Sequence, residues 1–439
     1  MRLSAGKQLA KTENSTLILW VASLLLIASA CVGWVVTPLQ GKIRAYAFPF
    51  MSNISLTIGI NNPLHIGSFG VILIALGILT IAFIILRATP RLIFYLGAAS
   101  VIVCVSFIGN MFFLNSEMIE ALVDQNIQVT NIKSFSDGYL RGNAKSLRPE
   151  EDISTDTLLD KLDAGIRYLG LGWYAALISS LLILIVSYRK QASKSMRWDA
   201  LGLALTALVV TAGLSAGTLK AEYDRLQGDR SLAQGELQKA IALYESAVRW
   251  DANLSYNPRY VYSVGAVCYT LSWHDRPEIH IYLGDNLVSV QNFYQASREY
   301  EVASALRADF LLARRNRVNA LITMGLNNYS AKKIYTALWY WQQALQLDPN
   351  QIQALFFLVK ASLDINARDQ LKTIMVAEEI LEKTKDRLIK ADTYVLLGDS
   401  YYKQREYAKA REMYGLSRRQ YDLVKRVINF LAMKGLQGV

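Results

Sequence analysis

Apolar positions are concentrated in the first half of the chain. Five runs there contain no Asp, Glu, Lys, Arg or His. Each is close to the length of about 20 residues that a helix needs to cross a bilayer. We therefore predict a five-helix transmembrane domain over residues 1–219, with a long external loop at 115–168. Its spans are placed at about 17–36, 66–86, 92–114, 169–188 and 200–219.

Charges beside the runs predict their orientation. The amino-terminal tail and two of the connections are basic, with Arg2, Arg87 and Arg189 among their residues, whereas the loop at 115–168 is rich in Asp and Glu. By the positive-inside rule the amino terminus is cytoplasmic. Five spans then place everything after residue 219 in a periplasmic or other extracytoplasmic space, on the inner (plasma) membrane. We favour an uncleaved first span over lipoprotein-type processing at Cys31, because the apolar run continues to Val36.

A different pattern begins after residue 219. Gly228, Ala240, Tyr244 and Ala247 are separated by 12, 4 and 3 residues. A glycine late in one helix lets a second helix cross close to its backbone, the alanine leaves room, and the aromatic ring fills the gap. We therefore predict that these residues pack helix against helix. The same separations recur in Gly284, Ala296, Tyr300 and Ala303, in Gly325, Ala337, Trp341 and Ala344, and in Gly398, Ala410, Tyr414 and Ser417.

This spacing resembles the tetratricopeptide repeat family, whose unit is a 34-residue pair of helices that stacks on its neighbours. The resemblance implies a helical-repeat solenoid over residues 220–439, so the whole chain is predicted to be all-α. The insertion Ser255–Pro277 could cap the groove of the solenoid or pack as an extra helix. The predicted units are about 221–254, 277–310, 318–351, a degenerate unit at 352–387, and 391–424, followed by a closing helix at 424–433.

The resemblance also implies a partner-binding groove on the first helix of each unit. A groove with apolar patches and acidic positions suits an extended or helical segment of another protein. The residues at the corresponding positions are Glu222, Arg225, Asp229, Leu232, Ile281, Asp285, Val288, Ile322, Leu326, Tyr329, Val395, Asp399 and Tyr402.

Candidate chemistry is sparse. Glu117, Glu120 and Asp124 have the spacing of one helix face and could serve as a base or as metal ligands, although a solvated face of an interfacial helix is the preferred interpretation. The group His274, Asp275 and His280 is interpreted as a surface loop. We predict no catalytic constellation, no metal site and no cofactor, which leaves enzymatic activity uncertain and binding favoured. Ser154 to Ile166 is predicted to form an amphipathic helix.

The net charge of +11 is divided between the cytoplasmic flanks and the repeats. Nucleic acid is excluded as a partner of an extracytoplasmic domain. Other proteins remain as candidate partners, and anionic lipid or acidic glycan could contact the basic clusters near Arg315 and Arg419. The sequence thus predicts a membrane-anchored scaffold, assembly factor or accessory subunit of a membrane or envelope complex. The alternative is an enzyme or accessory protein of surface polysaccharide assembly.

Overall fold

The structure is a computed structural model that describes residues 2–39, 41–44, 66–109, 116–140, 163, 165–190, 217, 219–251, 254–255, 257–365 and 370–433. Its contacts divide the chain into two compact units. The first comprises Met1–Thr37, Lys42–Leu122 and Thr157–Tyr223, and the second comprises Pro38–Gly41, Val123–Asp156 and Asp224–Val439. The all-α prediction is confirmed for the described residues, apart from one pair of short strands, β1 (Gly33–Thr37) and β2 (Gly41–Arg44).

Four apolar helices of the first unit form a bundle. They are α1 (Arg2–Cys31), α2 (Ile66–Ile85), α3 (Pro90–Gly109) and α5 (Leu171–Lys190); the intervening helix, α4, is Ser116–Tyr139. Helix α1 contacts α2 and α5, and α3 contacts the same two helices. The four helices therefore surround one interior.

The bundle interior contains hydroxyl groups, whereas its outer surface is apolar. Ser23, Ser100 and Ser180 each donate to the carbonyl four residues earlier in their own helix, at 2.7, 2.8 and 2.7 Å. Large apolar side chains such as Leu24 and Ile178 are more than half exposed. The described bundle helices thus carry an apolar exterior around hydroxyl groups that are satisfied within their own helices.

The prediction of five spans is confirmed only in part. Pro90–Ile108 and Leu171–Arg189 are long and apolar enough to cross a membrane, whereas Ser15–Cys31 and Phe69–Ile85 are shorter apolar helices. The span predicted at 17–36 ends early because the glycine and β-branched residues of Gly33–Thr37 form a strand. Most of the span predicted at 200–219, the end of the third span and the segment 141–162 lie outside the described residues.

The second unit is a chain of helices in which each element packs against the next. A helix over residues 219–233 (α6) leads into it. The later helices are α7 (Leu237–Trp250), α8 (Pro258–Thr270), α9 (Pro277–Ser289), α10 (Phe293–Leu306), α11 (Leu311–Ser330), α12 (Ile334–Leu347), α13 (Ile352–Asp364), α14 (Gln370–Lys383), α15 (Arg387–Lys403) and α16 (Tyr407–Met433). Contacts run from each of α7 to α15 to its successor, which is the order of a solenoid.

One turn geometry recurs between the paired helices. Gly235, Gln291, Lys332 and Arg405 all have positive φ, from 60° to 77°, and each lies seven residues after the glycine of its unit. Only the first is a glycine, so three units hold an ordinary residue in the left-handed conformation. The insertion Ser255–Pro277 contains the helix α8, which buries Val261 and Val264 and packs against α9 as an extra helix.

A candidate protein-binding groove

The four glycines bring the paired helices into direct contact with an aromatic ring. A Cβ atom placed on Gly228, Gly284 or Gly398 would lie 2.6, 2.4 or 2.4 Å from a ring atom of the tyrosine of the same unit. At Gly325 it would lie 2.2 Å from the indole nitrogen of Trp341. A side chain larger than hydrogen at these positions would force the ring to shift. Ala240, Ala296, Ala337 and Ala410, on the second helices, are buried beside them.

The same tyrosines also hold the groove aspartates. The hydroxyl groups of Tyr244, Tyr300 and Tyr414 donate to Asp229, Asp285 and Asp399 at 2.8, 2.6 and 2.7 Å, in each case across 15 residues. In the third unit Leu326 stands in place of the aspartate. The Trp341 indole there donates to a main-chain carbonyl of α11 at 3.2 Å.

Burial shifts the pKa values of Asp285 and Tyr300. The pKa of the Asp285 carboxyl is raised because burial outweighs the hydrogen bonds that it accepts from Tyr300 and from Asn316. The pKa of the Tyr300 hydroxyl is raised as well, first by burial and then by the neighbouring carboxylate. The tyrosine is therefore neutral, and its proton lies between the two oxygens as a donated hydrogen bond.

The proposed groove residues differ widely in exposure. Arg225 is fully buried and forms an ion pair with Asp229 at 2.9 Å, and Val288 and Tyr402 are the two exposed members of the set. The three remaining buried members are Ile281, Ile322 and Tyr329, and the half-buried ones are Glu222, Asp229, Leu232, Asp285, Leu326, Val395 and Asp399.

Part of the solenoid surface is occupied by the chain itself. The second half of α4 lies against α11 and α13, with the Phe135 ring at its centre. The Phe135 centroid is 4.3 Å from that of Phe357, 5.5 Å from that of Tyr329 and 6.4 Å from that of Phe356. Val129 and Ile132 belong to the same buried cluster. We call the surface formed by Tyr329, Ser330, Gln353, Phe356, Phe357 and Asp386 the inner groove.

Polar contacts fix the position of α4 along the inner groove. The Asn131 amide donates to Gln353 at 3.4 Å, and the Tyr139 hydroxyl lies 2.7 Å from Ser330. The Lys133 ammonium is 3.2 Å from Asp386. That carboxylate also accepts from two main-chain N–H groups at the start of α15, so it caps the helix as well as pairing with the lysine.

A second short segment joins the solenoid in the same way. Leu39 is buried in the cluster that contains Phe135. Its main-chain carbonyl accepts from the Lys385 N–H and, at 3.4 Å, from the Thr384 hydroxyl. Two segments that precede the repeats in the sequence therefore complete their core.

The carboxylates considered for catalysis have different positions. The side chains of Glu117 and Glu120 lie outside the described residues. Asp124 accepts a hydrogen bond from Gln128 at 3.0 Å and lies near Arg315. Burial raises the pKa of the Asp124 carboxyl, against the opposing effects of the arginine and the amide.

The residues of the histidine group, His274, Asp275 and His280, are not placed to bind one metal ion together. His280 lies 2.7 Å from Glu299, on the neighbouring helix. Within the part of the chain that the structure describes, no three His, Cys, Asp or Glu side chains are placed to share a metal ion.

Comparison with known proteins gives similar solved structures but no family. No protein-family model matches the sequence, and no curated protein matches it. The chain is similar to the crystal structure of MamA (15% identity, 45% of this chain, 96% of that chain, TM-score 0.25). It is also similar to the TPR domain of P58(IPK), with 13% identity, 89% of this chain and 99% of that chain covered, and a TM-score of 0.25. The corresponding values for yeast Tom70 are 14% identity, 66% of this chain, 61% of that chain and a TM-score of 0.30. These neighbours are tetratricopeptide-repeat proteins.

The tetratricopeptide-repeat neighbours agree with the resemblance predicted from the glycine, alanine and aromatic spacing. At this level of identity the likeness concerns the fold alone. The residues that sequence reasoning missed are those of α4. Buried Leu122, Val129 and Ser136 recur every seven residues, as do buried Gln125 and Ile132 with the exposed Tyr139, whose ring lies near that of Tyr329. That heptad spacing is the signal that could have revealed a helix with one docked face.

Proposed function

We propose that this protein is a membrane-anchored, extracytoplasmic tetratricopeptide-repeat scaffold that acts by binding other proteins. It serves as an assembly factor or accessory subunit of a membrane or envelope complex. The observation that carries this proposal is the helix seated in the inner groove. Apolar rings, an amide pair and an ion pair receive α4 along one face of the repeats, so this surface has the chemistry for binding a helix.

The topology of five spans is part of the proposal. Leu39 and residues 123–139 belong to the same compact unit as the repeats, which supports placing all three on one side of a membrane. If α5 crosses the membrane between residue 140 and the repeats, a second crossing is needed to return the chain to that side. The apolar run at 200–219 supplies the second, and the basic flanks make this shared side extracytoplasmic.

Labelling of single cysteines in intact cells tests the topology. Cysteines at Asp137 and at Lys409 are both expected to react with a membrane-impermeant maleimide added from outside, whereas a cysteine at Ser4 is expected to react only after the cells are opened. Reaction of Ser4→Cys from outside, or of only one of the other two positions, would show that the orientation or the number of crossings is wrong.

Crosslinking in native membranes, followed by mass spectrometry of the co-purified chains, tests the binding role. Crosslinks are expected from the repeat unit to at least one other protein, and they should persist when the chain is expressed at its native level. Recovery of the protein only as a free monomer under these conditions would contradict the scaffold role.

A further inference from the structure

The occupant of the inner groove is not itself a repeat helix. Residues Val123–Tyr139 lie almost 200 residues before the first helices that they contact. They bury Val129, Ile132 and Phe135 against those helices. A repeat surface that would otherwise be open to a partner is therefore filled by a segment from elsewhere in the chain.

The fit of this segment is good for apolar groups and incomplete for polar ones. Side-chain oxygens of Gln125, Gln128 and Ser136 are buried on α4, as is that of Gln351 at the start of α13. Among the described residues none of these four atoms has a hydrogen-bond partner. Most buried polar atoms in native proteins have a hydrogen-bond partner. The helix α4 therefore makes three polar contacts with the inner groove, while three of its own buried oxygens have no partner among the described residues.

The recognisable features of the segment are few. Phe135 and Tyr139 stand one helical turn apart and enter the aromatic cluster together, with their ring centroids 4.7 Å apart. Lys133, two residues before the first ring, pairs with the carboxylate that caps α15. Rings four residues apart lie on the same helix face, so any helix with this pattern could present the same contacts.

We propose that Val123–Tyr139 is an exchangeable occupant of the inner groove. The same groove binds a partner's amphipathic helix that carries a lysine, an aromatic residue two positions later and a second aromatic four positions after that. This inference rests on the proposed scaffold function and names its partner class. The tethered segment acts as a competitor at high effective concentration, so a partner gains access only when it is locally concentrated or when α4 is weakened.

A fluorescent peptide with the sequence of residues 119–140 serves as the probe, added to the full-length protein in detergent. Phe135→Ala in the full chain removes the main anchor of α4 and leaves every groove residue intact. We expect this variant to bind the peptide at least tenfold more tightly than the unmodified chain. Ile127→Ala, on the exposed side of the same helix, should leave peptide binding unchanged. Peptides carrying Phe135→Ala or Lys133→Glu should bind at least tenfold more weakly.

Hydrogen exchange over residues 123–139 establishes whether α4 has left the groove. Lys133→Glu in the full chain gives the same test without truncating a buried ring, because it places two carboxylates together. If either variant releases α4 and the peptide still does not bind, the exchange proposal is wrong. The peptide could instead separate a dimer of the unmodified chain into monomers. The inner groove would then bind α4 of a second copy of this chain, and the partner-helix proposal would be wrong.

Crosslinking separates this inference from the scaffold role. Under the exchange proposal, Phe135→Ala raises the yield of crosslinks between the inner groove and a partner. An unchanged set of partners at unchanged yield would leave the scaffold role standing and would overturn the exchange. Loss of all partners from the unmodified chain would overturn both.

Discussion

The interiors of the bundle and of the solenoid solve the same packing problem with different polar chemistry. Both units contain glycines with less than 3 Å of space for a Cβ atom, such as Gly97 beside α5 and Gly284 beside Tyr300. In the bundle, the buried hydroxyl of Ser187 bonds to a carbonyl of its own helix. In the solenoid, the hydroxyl of Tyr300 bonds to Asp285 on the paired helix.

This difference has a consequence for how helices pair. A hydroxyl that bonds within its own helix is satisfied whether or not that helix packs against another. The bond from Tyr300 to Asp285 forms only when the two helices pair, so it contributes to the specificity of the pairing.

The largest effect is expected from filling the space beside an aromatic ring. Gly325→Ala places a Cβ atom against the Trp341 indole, and overpacking of this kind costs roughly 1–3 kcal/mol. Gly415→Ala is the matched control, because nothing lies within 4 Å of its Cβ position. We expect that control to gain about 0.5–1 kcal/mol from helix propensity. Thermal unfolding followed by tryptophan fluorescence measures both, and equal effects at the two positions would contradict the packing role of Gly325.

Removing a single hydroxyl from each interior tests the comparison directly. Tyr300→Phe breaks the bond to Asp285 and leaves a buried carboxylate with one donor fewer, at a cost of roughly 1–2 kcal/mol. Ser187→Ala removes a bond to a carbonyl that the helix already satisfies, so its effect should be close to zero. Unfolding midpoints of the two variants in the same detergent provide the measurement. If Ser187→Ala destabilises the protein as much as Tyr300→Phe does, the two interiors do not differ.

A smaller effect is expected from the charge of Asp124. Its folded-state pKa is raised above the ordinary value of 3.8, so ionisation opposes folding. Below pH 3.8 both states are protonated and no penalty exists. As the pH rises from 3.8 through the folded-state pKa, the penalty develops, and it then stays constant.

Asp124→Asn, which keeps the acceptor for Gln128, should therefore stabilise the protein at pH 7 by about 1 kcal/mol at most. The gain should disappear near pH 3.5. The measurement is the difference in unfolding midpoint between variant and parent across this pH range. A loss of stability at pH 7 would show that the attraction of Arg315 outweighs burial.

The smallest effect concerns the recurring left-handed turn. Lys332→Gly removes the steric cost of a side chain at φ 62°, but it also raises the conformational entropy of the unfolded chain. We therefore expect the free energy of unfolding to rise by a few tenths to about 1 kcal/mol. Gly235→Ala, at the equivalent turn of the first unit, should lose a similar amount. If the two substitutions shift the unfolding midpoint in the same direction, φ does not control these turns.

The repeats could be predicted from sequence because their contacts are local. Gly284 meets Tyr300 within one helical pair, so the spacing along the chain records the contact directly. The contacts of α4 with the inner groove cannot be read from a spacing in the sequence in this way. Asn131 and Gln353 are 222 residues apart, and no period in the sequence relates them. The first span was predicted too long because mean apolarity does not distinguish the strand at Gly33–Thr37 from a continuing helix.

The contact between Leu39 and Lys385 has a practical meaning for anyone who wishes to isolate the repeats. A fragment that begins at residue 220 keeps every repeated motif, yet it loses α4 and the turn residue Leu39, which close its interior. Such a fragment would expose Phe356 and Phe357 and should aggregate or adsorb to detergent. Fusing residues 116–140 ahead of residue 220 through a flexible linker restores α4, the larger of the two missing segments. The shortest soluble form of this solenoid is therefore a discontinuous one.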